Sequence, residues 1–156
     1  MFLPKSNMYY FLEKQFETKS IIFSNEKINA GLFDISLTGS NITYEEKKFA
    51  KVEKLKLTSY LFYNTLEIKN IEVMKKFTKK YPVKTDEFIV KYSVLNPLFV
   101  DINAQGDFGI LKGKVDLVKQ KITYVLKASK SMKKNYQQIL RKMKQTKGEY
   151  IYEQQL

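Results

Sequence analysis

Hydrophobic and polar residues alternate with a period close to two over most of the chain between Ile21 and Lys127. Around Phe33, every second residue is apolar and its neighbours are polar, and Phe88, Val90, Tyr92 and Val94 recur at the same spacing. This is the period of a β-strand that buries one face. Gly, Asn and Pro fall between the apolar runs, as they do in turns. The pattern predicts a series of antiparallel strands.

The alternation changes phase at two places, Gly39 and Asn70. Apolar residues occupy odd-numbered positions before Gly39 and even-numbered positions after it, and the reverse change occurs at Asn70. One extra residue in a strand produces such a change and bends the sheet. We therefore predict bends at both residues, with the residues on either side of Asn70 forming one bulged strand.

Two segments have apolar residues at helical spacing. Ser6 is expected to cap a helix over residues 7–18 that packs on the sheet, and Ser131 a second helix over residues 132–145. A short strand is expected over residues 149–152. The predicted fold class is α+β and mainly antiparallel β, with a curved sheet of about seven to nine strands and a helix near each end. The whole chain, 1–156, is predicted to be one globular domain.

The composition excludes several kinds of active site. The chain contains no His and no Cys, which excludes Cys/His zinc sites, thiol nucleophiles and Ser-His-Asp triads. Asp and Glu occur singly among lysines and suggest no carboxylate pair. We therefore predict no catalytic residues, no metal site and no cofactor. An enzyme that uses Asp, Glu or Tyr is the weaker alternative.

The charge favours anionic partners. Lys and Arg total 28 against 16 Asp and Glu, so the net charge is +12. Such a field attracts anionic lipid or nucleic acid. Arg141 is the single arginine, and arginine is the usual residue for phosphate and base recognition, so nucleic acid is the less favoured partner. The alternative is that the lysines form an ordinary solvated surface.

Two groups of cations are candidate contacts for an anion or a protein partner. One group lies in a predicted basic loop over residues 74–87, and the other on the predicted C-terminal helix, where cations also suit the helix dipole. The candidates are Lys75, Lys76, Lys79, Lys80, Lys84, Lys133, Lys134, Arg141, Lys142 and Lys144.

The first five residues, Met1 to Lys5, are apolar up to a Pro-Lys pair. No run of 18 apolar residues occurs in the sequence. We expect these residues to be the remainder of a membrane anchor removed before residue 1.

Three stretches of the chain resemble a known group of envelope proteins. They are Leu3-Pro4-Lys5 with Tyr9-Tyr10 and Leu12-Glu13, Gly106-Asp107-Phe108-Gly109 with Leu111, Gly113 and Val115-Asp116-Leu117, and Gly148-Glu149-Tyr150-Ile151-Tyr152. This arrangement is similar to the periplasmic part of general secretion pathway protein N (GspN) and, more distantly, to AsmA-type bacterial envelope proteins.

The resemblance implies a non-enzymatic periplasmic domain, tethered to the inner membrane, that serves secretion or DNA-uptake machinery or contacts lipid. Its expected partners are other envelope or secretion-machinery proteins and anionic lipid. The alternative from the residues themselves is a cytosolic, lysine-rich nucleic-acid-binding module. The two differ in salt dependence, because nucleic-acid affinity falls steeply as salt rises.

Overall fold

A computed structural model describes residues 21–24, 27–77 and 84–156, which contain one antiparallel sheet of 11 strands. The strands are β1 (Ile21–Ser24), β2 (Lys27–Ala30), β3 (Asp34–Tyr44), β4 (Lys47–Tyr60), β5 (Tyr63–Val73), β6 (Lys84–Ser93), β7 (Phe99–Gly106), β8 (Gly109–Asp116), β9 (Lys121–Ala128), β10 (Lys144–Thr146) and β11 (Glu149–Gln155). A 3₁₀ turn covers Lys75–Phe77, and two short helices follow β9, α1 (Lys130–Asn135) and α2 (Gln137–Leu140).

The strands from β3 to β9 lie side by side in sequence order, and β11 then inserts between β9 and β10. At the other edge, β3 is paired along its two halves, with β2 against residues 35–38 and β1 against residues 41–44. Each strand from β3 to β9 therefore pairs mainly with the strands next to it in sequence.

The predicted α+β class is wrong, because the described residues form an all-antiparallel sheet with only short helices. The sheet also exceeds the predicted seven to nine strands. The predicted N-terminal helix over residues 7–18 lies outside the described residues.

The predicted C-terminal helix over residues 132–145 is also wrong, since this segment forms α1, α2, a turn and β10. The cap of α1 is Ser129 rather than Ser131, and its hydroxyl accepts a hydrogen bond from the Met132 N–H at 3.0 Å. Tyr136, with φ −127°, separates the two helices. Lys144 and Gln145 pair with β11 through the Lys147-Gly148 turn, where both residues have positive φ. A strand ladder thus replaces the last turn of the predicted helix.

One face of the sheet is apolar. Cross-strand pairs place side chains of every strand from β3 to β9, and of β11, in continuous rows on this face. One row is Ile35, Leu57, Leu66, Val90, Ile102, Gly113, Tyr124 and Tyr152, and the next is Leu37, Leu55, Ile68, Phe88, Ala104, Leu111, Leu126 and Tyr150. The aromatic residues Phe88, Tyr124, Tyr150 and Tyr152 therefore lie on the apolar face, whereas Tyr60, Tyr63 and Phe99 lie on the opposite phase of their strands.

The opposite face carries charged residues of both signs. The Lys56 ammonium lies 2.9 Å from the Asp34 carboxylate, and the Lys69 ammonium lies 2.9 Å from that of Glu67. These hydrogen-bonded carboxylates raise the pKa of both lysines above the ordinary value. Such exposed pairs add little to stability, so the charged face mainly keeps this side of the sheet solvated.

Both predicted bends lie on one line that crosses the sheet. Gly39 has φ 74° and Asn70 has φ 51°, and register places Glu53 of β4 between them. Opposite Asn70, Asp86 is an extra residue of β6 relative to β7, where the register shifts. Leu37 and Leu55 on one side pack in one cluster with Val52 on the other, so the apolar face continues through the bend.

The buried core is divided into two clusters on the apolar face. The first lies at the bend and contains Leu37, Val52 and Leu55. The second joins Leu126 of β9 to Met132 of α1 and Leu140 of α2. Between the clusters, Val90 and Ile102 are only partly buried. The helices thus cover one end of the apolar face and leave its centre accessible.

Candidate functional site

A groove of about 510 Å³ opens on the apolar face beside the two helices. This volume lies within the range of small-molecule sites, about 300–1,000 Å³. The lining is almost entirely apolar and comes from the sheet and from the segment after β9. The lining residues are Phe88, Ile102, Phe108, Leu111, Tyr124, Leu126, Met132, Ile139, Lys142, Met143 and Tyr152.

The floor of the groove depends on a glycine. Gly113 lies between Ile102 and Tyr124 in adjacent strands. A Cβ at position 113 would lie 3.1 Å from both the Ile102 Cβ and the Tyr124 Cδ1. The missing side chain therefore lets the Tyr124 ring lie close to the sheet. Burial of this ring raises the pKa of Tyr124 above its ordinary value of 10.0.

One cation, Lys142, lines the groove among the described residues. Met143 lines both the groove and a second hollow of about 380 Å³, which Lys133, Gln137 and Arg141 also line. Three predicted contact residues are therefore brought to one end of the apolar groove. The other two of this group, Lys134 and Lys144, are exposed and line neither space.

In the other predicted group of cations, Lys76 and Lys84 do not line the groove. Lys75 and Lys76 lie in the 3₁₀ turn, and the Lys76 ammonium is 5.2 Å from the centre of the Phe77 ring. Lys84 belongs to β6 rather than to a loop and forms an ion pair of 3.3 Å with Asp86. Lys79 and Lys80 lie outside the described residues.

A basic hollow on the charged face was not predicted from the sequence. It has a volume of about 720 Å³, and its lining includes two acids, Asp101 and Asp116, beside five lysines. The lysines are Lys91, Lys112, Lys114, Lys119 and Lys121. They come from β6, β8, β9 and the turn after β8, so only the cross-strand register brings them together. In the sequence, the one indication of this hollow is that its strand lysines occupy polar positions of the alternating pattern in β6, β8 and β9.

Few titratable side chains line the groove. Its lining contains two tyrosines and one lysine as titratable groups, and no carboxylate. No group of three or more Asp or Glu residues that could hold a metal occurs in the part of the chain that the structure describes. Among the same residues, no helix has the length and apolar character needed to cross a bilayer.

Comparison of the chain with known protein families, with curated proteins and with solved structures gives no match. The resemblance to GspN and AsmA-type proteins therefore stays a prediction from the sequence.

Proposed function

We propose that this chain is a non-enzymatic envelope domain that binds an anionic lipid, with an acyl chain in the apolar groove. The observation that carries the proposal is the groove itself, which presents an apolar surface of small-molecule size beside a covered core. An acyl chain needs apolar contact along its length and no hydrogen-bond partners, and this lining supplies that contact.

Cations at one end of the groove support an anionic headgroup. Lys142 lines the groove, and Arg141 and Lys133 line the hollow that shares Met143 with it. A phosphate held there would accept charge-assisted hydrogen bonds while the acyl chain remains on the apolar face. An uncharged lipid would make the apolar contacts alone.

The experiment is a titration with palmitoyl lysophosphatidylglycerol, followed by fluorescence of a labelled analogue and by native mass spectrometry. Ile139→Trp fills the groove and is expected to lower affinity at least tenfold. Ile89→Trp is the matched control, because Ile89 lies on the charged face. Lys142→Gln is expected to reduce the preference for the anionic lipid over lysophosphatidylcholine. Equal binding by Ile139→Trp and wild type would place the lipid elsewhere, and no binding of either lipid would refute the proposal.

The envelope location rests on the sequence resemblance. Fractionation of the native cells with an antibody to this chain tests it. Recovery with the inner membrane or periplasm supports the proposal, as does an upstream reading frame that encodes a hydrophobic segment. Recovery in the cytosol alone contradicts it. The proposed protein partners, other envelope or secretion-machinery components, would be found by cross-linking in the same cells.

The basic hollow on the charged face favours a second candidate, binding of a single-stranded nucleic acid. Lys91 of β6 and Lys112 and Lys114 of β8 line the hollow on either side of β7, and the Lys114 ammonium is 4.3 Å from the centre of the Phe99 ring. Stacking platforms need several aromatic residues at the basic site, and among the described residues Phe99 is the one aromatic residue that lines this hollow. Binding of oligonucleotides that weakens steeply with salt and is lost in Lys112→Gln/Lys114→Gln would support this candidate. No binding at low salt would refute it.

A further inference from the structure

Four connections at one end of the sheet carry exposed apolar residues. The end is the one at which β4, β6 and β8 finish and β3, β5, β7 and β9 begin. We call this set the apolar edge, and its residues are Leu32, Phe33, Leu61, Phe62, Val94, Leu95, Leu98, Leu117 and Val118. The most exposed residue of each connection, Leu32, Leu61, Leu95 or Val118, is at least 70% exposed.

Backbone hydrogen bonds hold these connections side by side. The Ser59 N–H donates to the Phe33 carbonyl at 2.8 Å, and the Val94 N–H to the Phe62 carbonyl at 2.9 Å. The Leu117 N–H donates to the Leu98 carbonyl at 2.9 Å. With strands about 4.8 Å apart, the edge extends for about 29 Å from β3 to β9. The apolar residues therefore form one continuous line rather than scattered exposed side chains.

The opposite end of the sheet has a different character. Its described connections include Glu45-Glu46 and Lys147-Gly148. A continuous exposed apolar strip at one end of a sheet is typical of a surface that contacts a membrane or a protein. The residues adjoining the strip distinguish between these two.

The edge has the order of side chains found at a membrane surface. Tyr60 and Tyr63 flank the exposed Leu61-Phe62 pair, and Phe33 packs edge-on against Tyr60 with ring centres 4.8 Å apart. The connections 31–33, 61–62, 94–98 and 117–120 contain no acid, and Lys119 is their one charge. Apolar tips followed by tyrosines and lysines match the layers of a bilayer interface, where tyrosine sits at headgroup level and lysine extends toward phosphate.

The backbone at the tip supports a functional role. Leu61 has φ 42°, a left-handed conformation that favours Gly or Asn in a two-residue hairpin loop. An exposed leucine here is therefore unfavourable for folding on two counts, its backbone and its solvation. A surface that inserts into lipid explains why an apolar residue occupies this position.

From this geometry we infer that the apolar edge inserts into the surface of an anionic bilayer, with the strands directed away from it. The inference goes beyond lipid binding in the groove, because it concerns different residues and a bilayer rather than a single lipid. The net charge of +12 attracts the domain to an anionic surface, and the tips then enter its apolar layer.

The chain contains no Trp, so one introduced Trp reports its own surroundings. In Phe62→Trp, vesicles of phosphatidylethanolamine and phosphatidylglycerol are expected to shift the emission to the blue, and brominated acyl chains to quench it. Tyr44→Trp, at the opposite end of the sheet, is the matched control and is expected to do neither. Equal quenching of the two variants, or quenching of neither, would overturn the inference.

Binding variants give an independent test. Because burial of one Leu or Phe side chain corresponds to about a tenfold change in partition or more, Leu61→Ser/Leu95→Ser should lower vesicle binding at least about tenfold. Ile110→Ser, an exposed apolar residue on the charged face, should change it less than about twofold. Retained vesicle binding in the double variant, with loss of self-association or of a protein partner instead, would show a protein interface and contradict a bilayer contact.

Leu61→Asn separates stability from binding. It should raise the melting temperature, since Asn tolerates the left-handed backbone, and still weaken vesicle binding. Ile139→Trp, which fills the groove, should bind vesicles as the wild type does, so failure of the groove and failure of the edge are distinguishable. Loss of vesicle binding in Ile139→Trp with none in Leu61→Asn would overturn the inference.

Discussion

The Asn70 side-chain amide of β5 donates a hydrogen bond to the Glu53 carboxylate of β4, on the line where the sheet bends. Both residues lie in the row that starts at Gly39 and ends at the register shift between β6 and β7. This bond therefore fixes two neighbouring strands at the point where both change phase.

We predict that Asn70→Ala destabilises the fold by about 1–2 kcal/mol, because alanine is unfavourable in the left-handed region and lacks the amide donor. Asn70→Gly should cost less, since glycine accepts this backbone and only the hydrogen bond is lost. Urea unfolding measures both. Asn103→Ala, on a regular part of the charged face, is the control. Equal stability of the two Asn70 variants would show that the backbone conformation contributes nothing.

Ser40 is predicted to be dispensable. Its side chain is 1% exposed, and its hydroxyl has no hydrogen-bond partner within the described part of the chain. A buried unpaired hydroxyl costs about 1–3 kcal/mol, so Ser40→Ala should leave stability unchanged or raise it. Thermal unfolding of the two proteins tests this. A loss of more than about 1 kcal/mol would mean that the hydroxyl has a partner after all.

Tyr124 should make the fold sensitive to alkaline pH. Burial raises its pKa in the folded state, so the unfolded chain loses this proton first and stability falls as pH rises from about 10 through the folded-state pKa. Tyr124→Phe should flatten this part of the stability profile while Lys56 and Lys69 continue to titrate. Unfolding midpoints measured from pH 8 to 12, with tyrosinate absorbance, provide the check. An unchanged alkaline slope in Tyr124→Phe would contradict it.

An acyl chain in the groove should raise the pKa of Tyr124 further, because it removes more water from the phenol. The same absorbance titration with and without palmitoyl lysophosphatidylglycerol measures this change. Tyr44→Phe, at the opposite end of the sheet, is the control variant. The lipid should change its absorbance titration as much as it changes that of the wild type. A Tyr124 titration that the lipid does not move would argue against a chain beside this ring.

The helix cap gives a fifth prediction. The Ser129 hydroxyl accepts from the Met132 N–H and donates to the Asp107 carbonyl, so it ties α1 to the β7–β8 turn. Ser129→Ala should cost about 1 kcal/mol. Ser131→Ala, inside α1, should be near neutral. Chemical denaturation measures the free energy of unfolding of both variants. A larger loss in Ser131→Ala than in Ser129→Ala would show that Ser131 is the cap.

Positive φ at Gly39 and Asn70 was predictable, because the alternation changes phase there and both residue types accept this conformation. The predicted extra residue is not found at either position, since the register between β3 and β4 and between β4 and β5 continues through them without a shift. The C-terminal helix was not predictable. Met132, Tyr136, Ile139, Leu140 and Met143 do share one packed cluster, as their helical spacing suggests. The spacing does not reveal the break at Tyr136 or the competing pairing of residues 144–146 with β11.

The candidate surfaces show the same limit. The clustering of lysines in the sequence indicates residues 74–87 as a candidate site. The basic hollow and the apolar edge instead combine residues that are far apart in the sequence, so no local pattern indicates them. Leu61 and Leu95 are 34 positions apart and become neighbours only through the register of β5 and β6. Single exposed leucines in turns carry no such information by themselves.

The near-sequential strand order has a consequence for how the domain comes apart. Since most strands pair with those adjacent in the chain, the two edges share few direct contacts, and fraying at β10 need not disturb the bend at Asn70. Hydrogen exchange should then proceed inward from the edges, strand by strand. The protein would resist force and proteolysis as a graded series of hairpins, with its slowest amides in the central strands β6 and β7.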